Sequence, residues 1–79
     1  MKNSEKLRTI RKIMGLRVDA FATILGVSDR TVYRWEGGSR EPHSSMCRIA
    51  ELFLNAEQMQ QYFEALKFDR RSEKVLDKE

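Results

Sequence analysis

At 79 residues the chain is long enough for one small domain with a single modest core. Its composition, 41% apolar and 34% charged, is that of a soluble globular protein. One cysteine and one histidine exclude both an intramolecular disulfide and a four-ligand zinc site. No apolar run approaches the ~18 residues of a membrane span and no secretory signal opens the sequence, so a cytoplasmic protein with no membrane partner is expected. Charge is divided unevenly. Residues 1–48 hold ten Lys/Arg against five Asp/Glu, whereas residues 49–79 hold five against seven. A basic first half and a mildly acidic second half point to one side that faces a polyanion.

The first apolar series, Leu7, Ile10, Ile13 and Met14, is spaced by threes and fours and predicts a helix over about 4–14. Asn3 or Ser4 is placed to accept its free N–H groups, and Gly15 ends it. Val18, Phe21, Ala22 and Leu25 repeat at i, i+3, i+4, i+7 and make a two-turn helix closed by Gly26. Ser28 is a good N-cap for a third helix over 29–36, with Asp29 suited to its positive end and Gly37-Gly38 stopping it. After a polar loop ending in Pro42, Met46, Ile49, Ala50 and Phe53 form the inward stripe expected of a fourth helix, with Cys47 an inert buried thiol. Met59, Tyr62, Phe63 and Leu66 do the same for a fifth over about 56–67. Residues 69–79, with only Val75 and Leu76 apolar, are expected to be a charged, flexible tail. Period-two alternation never persists, so the fold class is all-α, a compact bundle of five helices.

At 100° per residue, Val32 and Trp35 share one side of the third helix, and Arg30 and Arg34 lie opposite. Tyr33 and Asp29 stand at one edge; Thr31 and Glu36 flank the apolar side. Trp35 is therefore a core residue and the arginines project outward. The three-residue connection Gly26-Val27-Ser28 forces a steep crossing, so this helix protrudes. A protruding helix with arginines outward fits the ~12 Å major groove of duplex DNA, where arginine grips guanine O6 and N7 with two hydrogen bonds. One histidine, no Ser/His/Asp arrangement and no Gly-rich phosphate loop leave no catalytic constellation, so neither enzyme activity nor a cofactor or metal is expected.

The segments IRKIMGL, FATILGVSDRTVYRWEGG, REP and MCRIAELF, spread from Ile10 to Phe53, resemble the Cro/repressor-type (XRE-like) helix-turn-helix family. Ala22, Leu25, Gly26, Val27, Ser28, Trp35 and Glu36 stand where that pattern wants them. The resemblance implies a lambda-repressor-like DNA-binding domain over 1–68, with the helix-turn-helix at about 18–36. It implies a sequence-specific transcriptional regulator, expected to be a repressor, bound as a homodimer to a double-stranded operator with two-fold symmetry. Carried over by position, Asp29, Arg30, Tyr33 and Arg34 would face bases, and Arg17, Ser28, Thr31, Ser39, Arg40 and His43 would meet backbone phosphates. Arg11 and Glu36 match the family's structural ion pair.

Several of these residues have a second reading. Asp29 either accepts from cytosine N4 or caps its helix and orients Arg30; Tyr33 either packs on the arginines or touches DNA; His43 either caps the fourth helix or approaches a phosphate. The sequence also departs from the family, with Arg17 and Val18 where a Ser or Thr followed by Gln usually caps the second helix and holds a phosphate. Met59, Tyr62, Phe63, Leu66 and Phe68 exceed what one edge helix hides: some must complete the core, and the rest are the expected dimer interface, setting two recognition helices about 34 Å apart. The competing class is a protein-binding module, such as an antitoxin or regulator adaptor, that uses the last helix for a protein partner. Salt dependence separates the two, because each neutralised phosphate adds about −0.9 to the log–log slope.

Overall fold

A computed structural model describes the backbone of residues 1–78 and the side chains of residues 1–67. It contains α1 (Asn3–Met14), α2 (Val18–Leu25), α3 (Asp29–Glu36), α4 (Ser44–Glu51) and α5 (Ala56–Lys78), with no strand among the described residues. The first four helices begin and end within a residue or two of where apolar spacing and capping put them. The backbone of α5 runs past the predicted end at 67. No glycine or proline interrupts it, and Arg, Glu, Lys and Leu are strong helix formers. The expectations for the Phe68 side chain and the flexibility of residues 69–79 lie outside the described side chains.

The core gathers Leu7 and Ile10 of α1, Phe21, Ala22 and Leu25 of α2, Val32 and Trp35 of α3, Cys47 and Ala50 of α4, and Tyr62 of α5. Full burial of a large side chain such as Leu7, Ile10, Phe21 or Val32 contributes about 1.5–3 kcal/mol. α1 is central to the packing, touching α3, α4 and α5, while α2 lies against α3 and α4.

Three expectations are corrected by packing. Neither the Asn3 nor the Ser4 side chain caps α1. Instead the Glu5 carboxylate accepts from the Lys2 N–H at 3.1 Å, and Glu41, far along the chain, accepts from the Ser4 N–H at 2.8 Å. The buried face of α4 is rotated from the predicted stripe: Cys47 and Ala50 are inside, whereas Ile49 is 41% exposed and Phe53 48%. Small side chains let α4 approach α1 closely, to the point where the Cys47 thiol donates to the Asn3 carbonyl at 3.5 Å. That burial raises the thiol pKa and keeps the sulfur protonated. Finally, Tyr62 is not a surface residue. It is 1% exposed and its hydroxyl donates to Glu51 at 3.1 Å, so it completes the core and has no area to offer a partner.

Candidate nucleic-acid interface

The turn between α2 and α3 depends on Gly26, whose φ of +74° lies in the left-handed region that a side chain disfavours. There the Gly26 and Val27 N–H groups donate to the Thr23 and Ala22 carbonyls at 3.2 and 3.0 Å, ending α2 abruptly. Two residues later Ser28 takes an extended conformation and its side chain accepts from the Thr31 N–H at 3.1 Å, starting α3. Its hydroxyl also pairs with that of Thr31 at 2.9 Å, so both groups named for phosphates are engaged in closing the helix start. Ser28, not Asp29, supplies the cap; Asp29 sits exposed in the first turn.

α3 is held from one side. Val32 and Trp35 are buried, at 1% and 6% exposure, and the opposite face leaves Arg30, Tyr33 and Arg34 in solvent, Tyr33 with 62% of its surface free. The far end of α3 is fixed by the pair that the resemblance named. Arg11 donates from Nε to Glu36 Oε2 at 2.6 Å and from a terminal nitrogen to Oε1 at 2.8 Å, a fork-to-fork pair, and also donates to the Leu16 carbonyl at 3.0 Å. Both side chains are only about one-sixth exposed. One guanidinium thus ties α1, the α1–α2 turn and the end of α3 into one unit.

Beyond α3 the chain wraps around one oxygen. The Ser39 and Arg40 N–H groups and the Ser39 hydroxyl all donate to the Arg34 carbonyl, at 3.1, 3.3 and 3.3 Å, with Gly38 at φ +82° making the bend. Ser39 and Arg40 are exposed there. His43 is the N-cap of α4: its Nδ1 accepts from the Ser45 N–H at 3.1 Å, which in the neutral ring puts the proton on Nε2. Arg17 precedes α2 with no side-chain cap and lies 3.7 Å from Asp19, both largely in water. At that distance and exposure the pair holds Arg17 weakly.

Arg17, Arg30, Arg34 and Arg40 are thus all solvent-accessible, on or beside the α2–turn–α3 unit. Two contacts behind this surface have no counterpart in the sequence pattern: Asn3, expected to cap α1, instead donates its side-chain amide to the Pro42 carbonyl at 3.2 Å, and Glu41 accepts from the Ser4 N–H. No local signal marks them, because their partners lie almost forty residues away. No described helix is long and apolar enough to cross a membrane, and no group of His, Cys, Asp and Glu among the described residues could hold a metal.

Compared with known families, residues 7–57 match the helix-turn-helix model. No curated protein and no solved structure gives a match.

Proposed function

Because that match spans well over half of its length, the chain belongs to the XRE-type helix-turn-helix family of DNA-binding regulators, and we propose that it is a sequence-specific repressor working as a homodimer. The observation behind this reading is the two-sidedness of α3, pinned by Val32 and Trp35 while Arg30, Tyr33 and Arg34 face outward. In the major groove Arg30 and Arg34 would grip guanine, with Tyr33 beside them against a thymine methyl or a phosphate. Asp29 orients Arg30. Arg17, Ser39 and Arg40 neutralise or donate to phosphates around that insertion, helped by the outer ring nitrogen of His43. Ser28 and Thr31 contribute chiefly by closing the start of α3.

In this reading the dimer contact draws on Leu52, Met59, Phe63 and Leu66. Met59 and Leu66 are partly buried against the core and Phe63 is 52% exposed. Leu52 is 83% exposed; it lines one surface depression with Met59, and Met59 with Phe63 lines the next. A monomer keeps apolar groups at this exposure in water, and a second copy would cover them.

Selection of bound sequences from random duplex DNA tests the whole reading. A two-fold motif with guanines in each half-site and half-site centres about ten base pairs apart is the expected result. A pool that stays random after repeated rounds would reject it and turn attention to a protein partner on the α4–α5 surface.

A further inference from the structure

We propose that Glu41, with Asn3, is a positioning residue for DNA binding: the two clamp the loop after α3 to the start of α1 and so hold Arg40 ready for a phosphate. The inference rests on the assignment of Arg40 to the DNA backbone made above. The loop leaves α3 through Gly37 and Gly38, the residue type with most backbone freedom to lose, so by itself it would be ordered only at an entropic cost. It is nevertheless held at both ends. On one side three donors converge on the Arg34 carbonyl. On the other, Glu41 Oε1 accepts from the Ser4 N–H at 2.8 Å and the Asn3 amide donates to the Pro42 carbonyl at 3.2 Å.

The Glu41 bond is of a favourable kind. The Ser4 N–H is among the donors that a helix start leaves unpaired, and a carboxylate there also meets the positive end of α1. Pro42 is buried and keeps Glu41 out of the helical region, so the side chain leaves the loop in a restricted direction. α1 is a firm anchor, since Arg11 locks it to the end of α3. Arg40 therefore stands between two points of one rigid unit, and its loop has little ordering left to pay for on binding.

Charge alone predicts the opposite effect. A carboxylate next to a phosphate-binding arginine repels DNA, so its removal should strengthen binding and steepen the salt dependence. If Glu41 positions Arg40, removal weakens binding although the protein gains a positive charge. The experiment is a fluorescence-anisotropy titration of the full chain on its selected duplex over a range of salt concentrations. It compares wild type, Glu41→Ala, Asn3→Ala, Arg40→Ala and the Glu41→Ala/Arg40→Ala double variant, with circular dichroism to follow folding. Glu41→Ala is expected to raise Kd about fivefold, the equivalent of one lost capping bond, and to flatten the salt slope by up to about 0.9, towards that of Arg40→Ala. In the Arg40→Ala background it should have almost no further effect.

Asn3→Ala is expected to act in the same direction without changing charge, and it serves as the deciding variant if Glu41→Ala unfolds. Binding by Glu41→Ala as tight as wild type or tighter, with a steeper slope, would overturn the proposal. So would an equal loss with and without Arg40, which marks a merely structural role, or an Asn3→Ala variant that binds like wild type if it has to decide. A wild-type chain without salt-dependent duplex binding would instead remove the functional reading and this inference with it.

Discussion

α3 and α4 are both eight-residue helices in the same core, yet they divide their side chains in opposite ways. α3 turns its large apolar groups inward, Val32 and Trp35, and shows solvent two arginines and a tyrosine. α4 turns small groups inward, Cys47 and Ala50, and leaves Ile49 exposed, with Leu52 and Phe53 exposed just beyond its end. On the inward side α4 meets α1 through Cys47, whose thiol donates to the Asn3 carbonyl at 3.5 Å, and Ala50 is wholly buried. The outward faces differ in what they can attract. Guanidinium groups suit a hydrated polyanion, whereas exposed leucine and phenylalanine suit another apolar surface. In so small a domain, one pair of short helices can thus present two chemically separate surfaces.

The largest test of this contrast is the core anchor of α3. Trp35→Ala should destabilise the fold by about 3–5 kcal/mol, by leaving a cavity under α3, whereas Ile49→Ala on α4 should stay within about 0.5 kcal/mol. Thermal or urea unfolding followed by circular dichroism measures both, and comparable losses would mean that α4 is anchored by its large residues after all. On the outward face of α3, Arg30→Ala and Arg34→Ala should each lose about 1–3 kcal/mol on the preferred duplex and relax base preference at one position. Retained selectivity in both variants would move those arginines from bases to phosphates.

Leu52→Glu and Phe63→Glu probe the other surface. Each substitution leaves the monomer's core intact, so unfolding should change little, while a wild-type dimer seen by sedimentation should give way to monomer. A wild-type chain that is already monomeric, or a dimer indifferent to both charges, would free the patch for a different partner. The smallest effect is a pH slope. Burial, the neighbouring Glu51 carboxylate and the hydrogen bond to it all push the Tyr62 phenol above its ordinary value of 10. Above about pH 10 the unfolded chain therefore loses that proton first and stability falls as pH rises, by at most about 1.4 kcal/mol per pH unit. Tyr62→Phe should lack this alkaline component in urea unfolding at pH 9 to 11; an unchanged slope would mean that the phenol titrates alike in both states.

Much of the candidate interface is legible in the amino-acid sequence. At α2 and α3 the helix starts and stops are local events: Ser28 caps α3 through a group three residues away, Gly26 ends α2 by its own φ, and the angle between Trp35 and Arg34 is fixed by helical pitch alone. The two-faced character of α3 therefore follows from eight consecutive residues. The Arg11–Glu36 pair is implied only by resemblance to a family, since nothing in either residue's neighbourhood identifies its partner.

What the linear pattern could not decide was every choice between helical faces that both look apolar, and every bond between distant backbone ends. Met46, Ile49, Ala50 and Phe53 satisfy helical spacing as well as Cys47 and Ala50 do; packing against α1 buries the second pair. Tyr62 reads as core or interface alike until the core takes its ring and Glu51 its hydroxyl. Asn3 reads as a helix cap and Glu41 as an ordinary surface group until the fold brings residues 3–4 against 41–42. The sequence determined where the helices lie and which chemistry α3 can show, because hydrogen bonding along a helix is local. Burial and tethering follow from the assembled fold, because close packing depends on neighbours that the chain supplies from elsewhere.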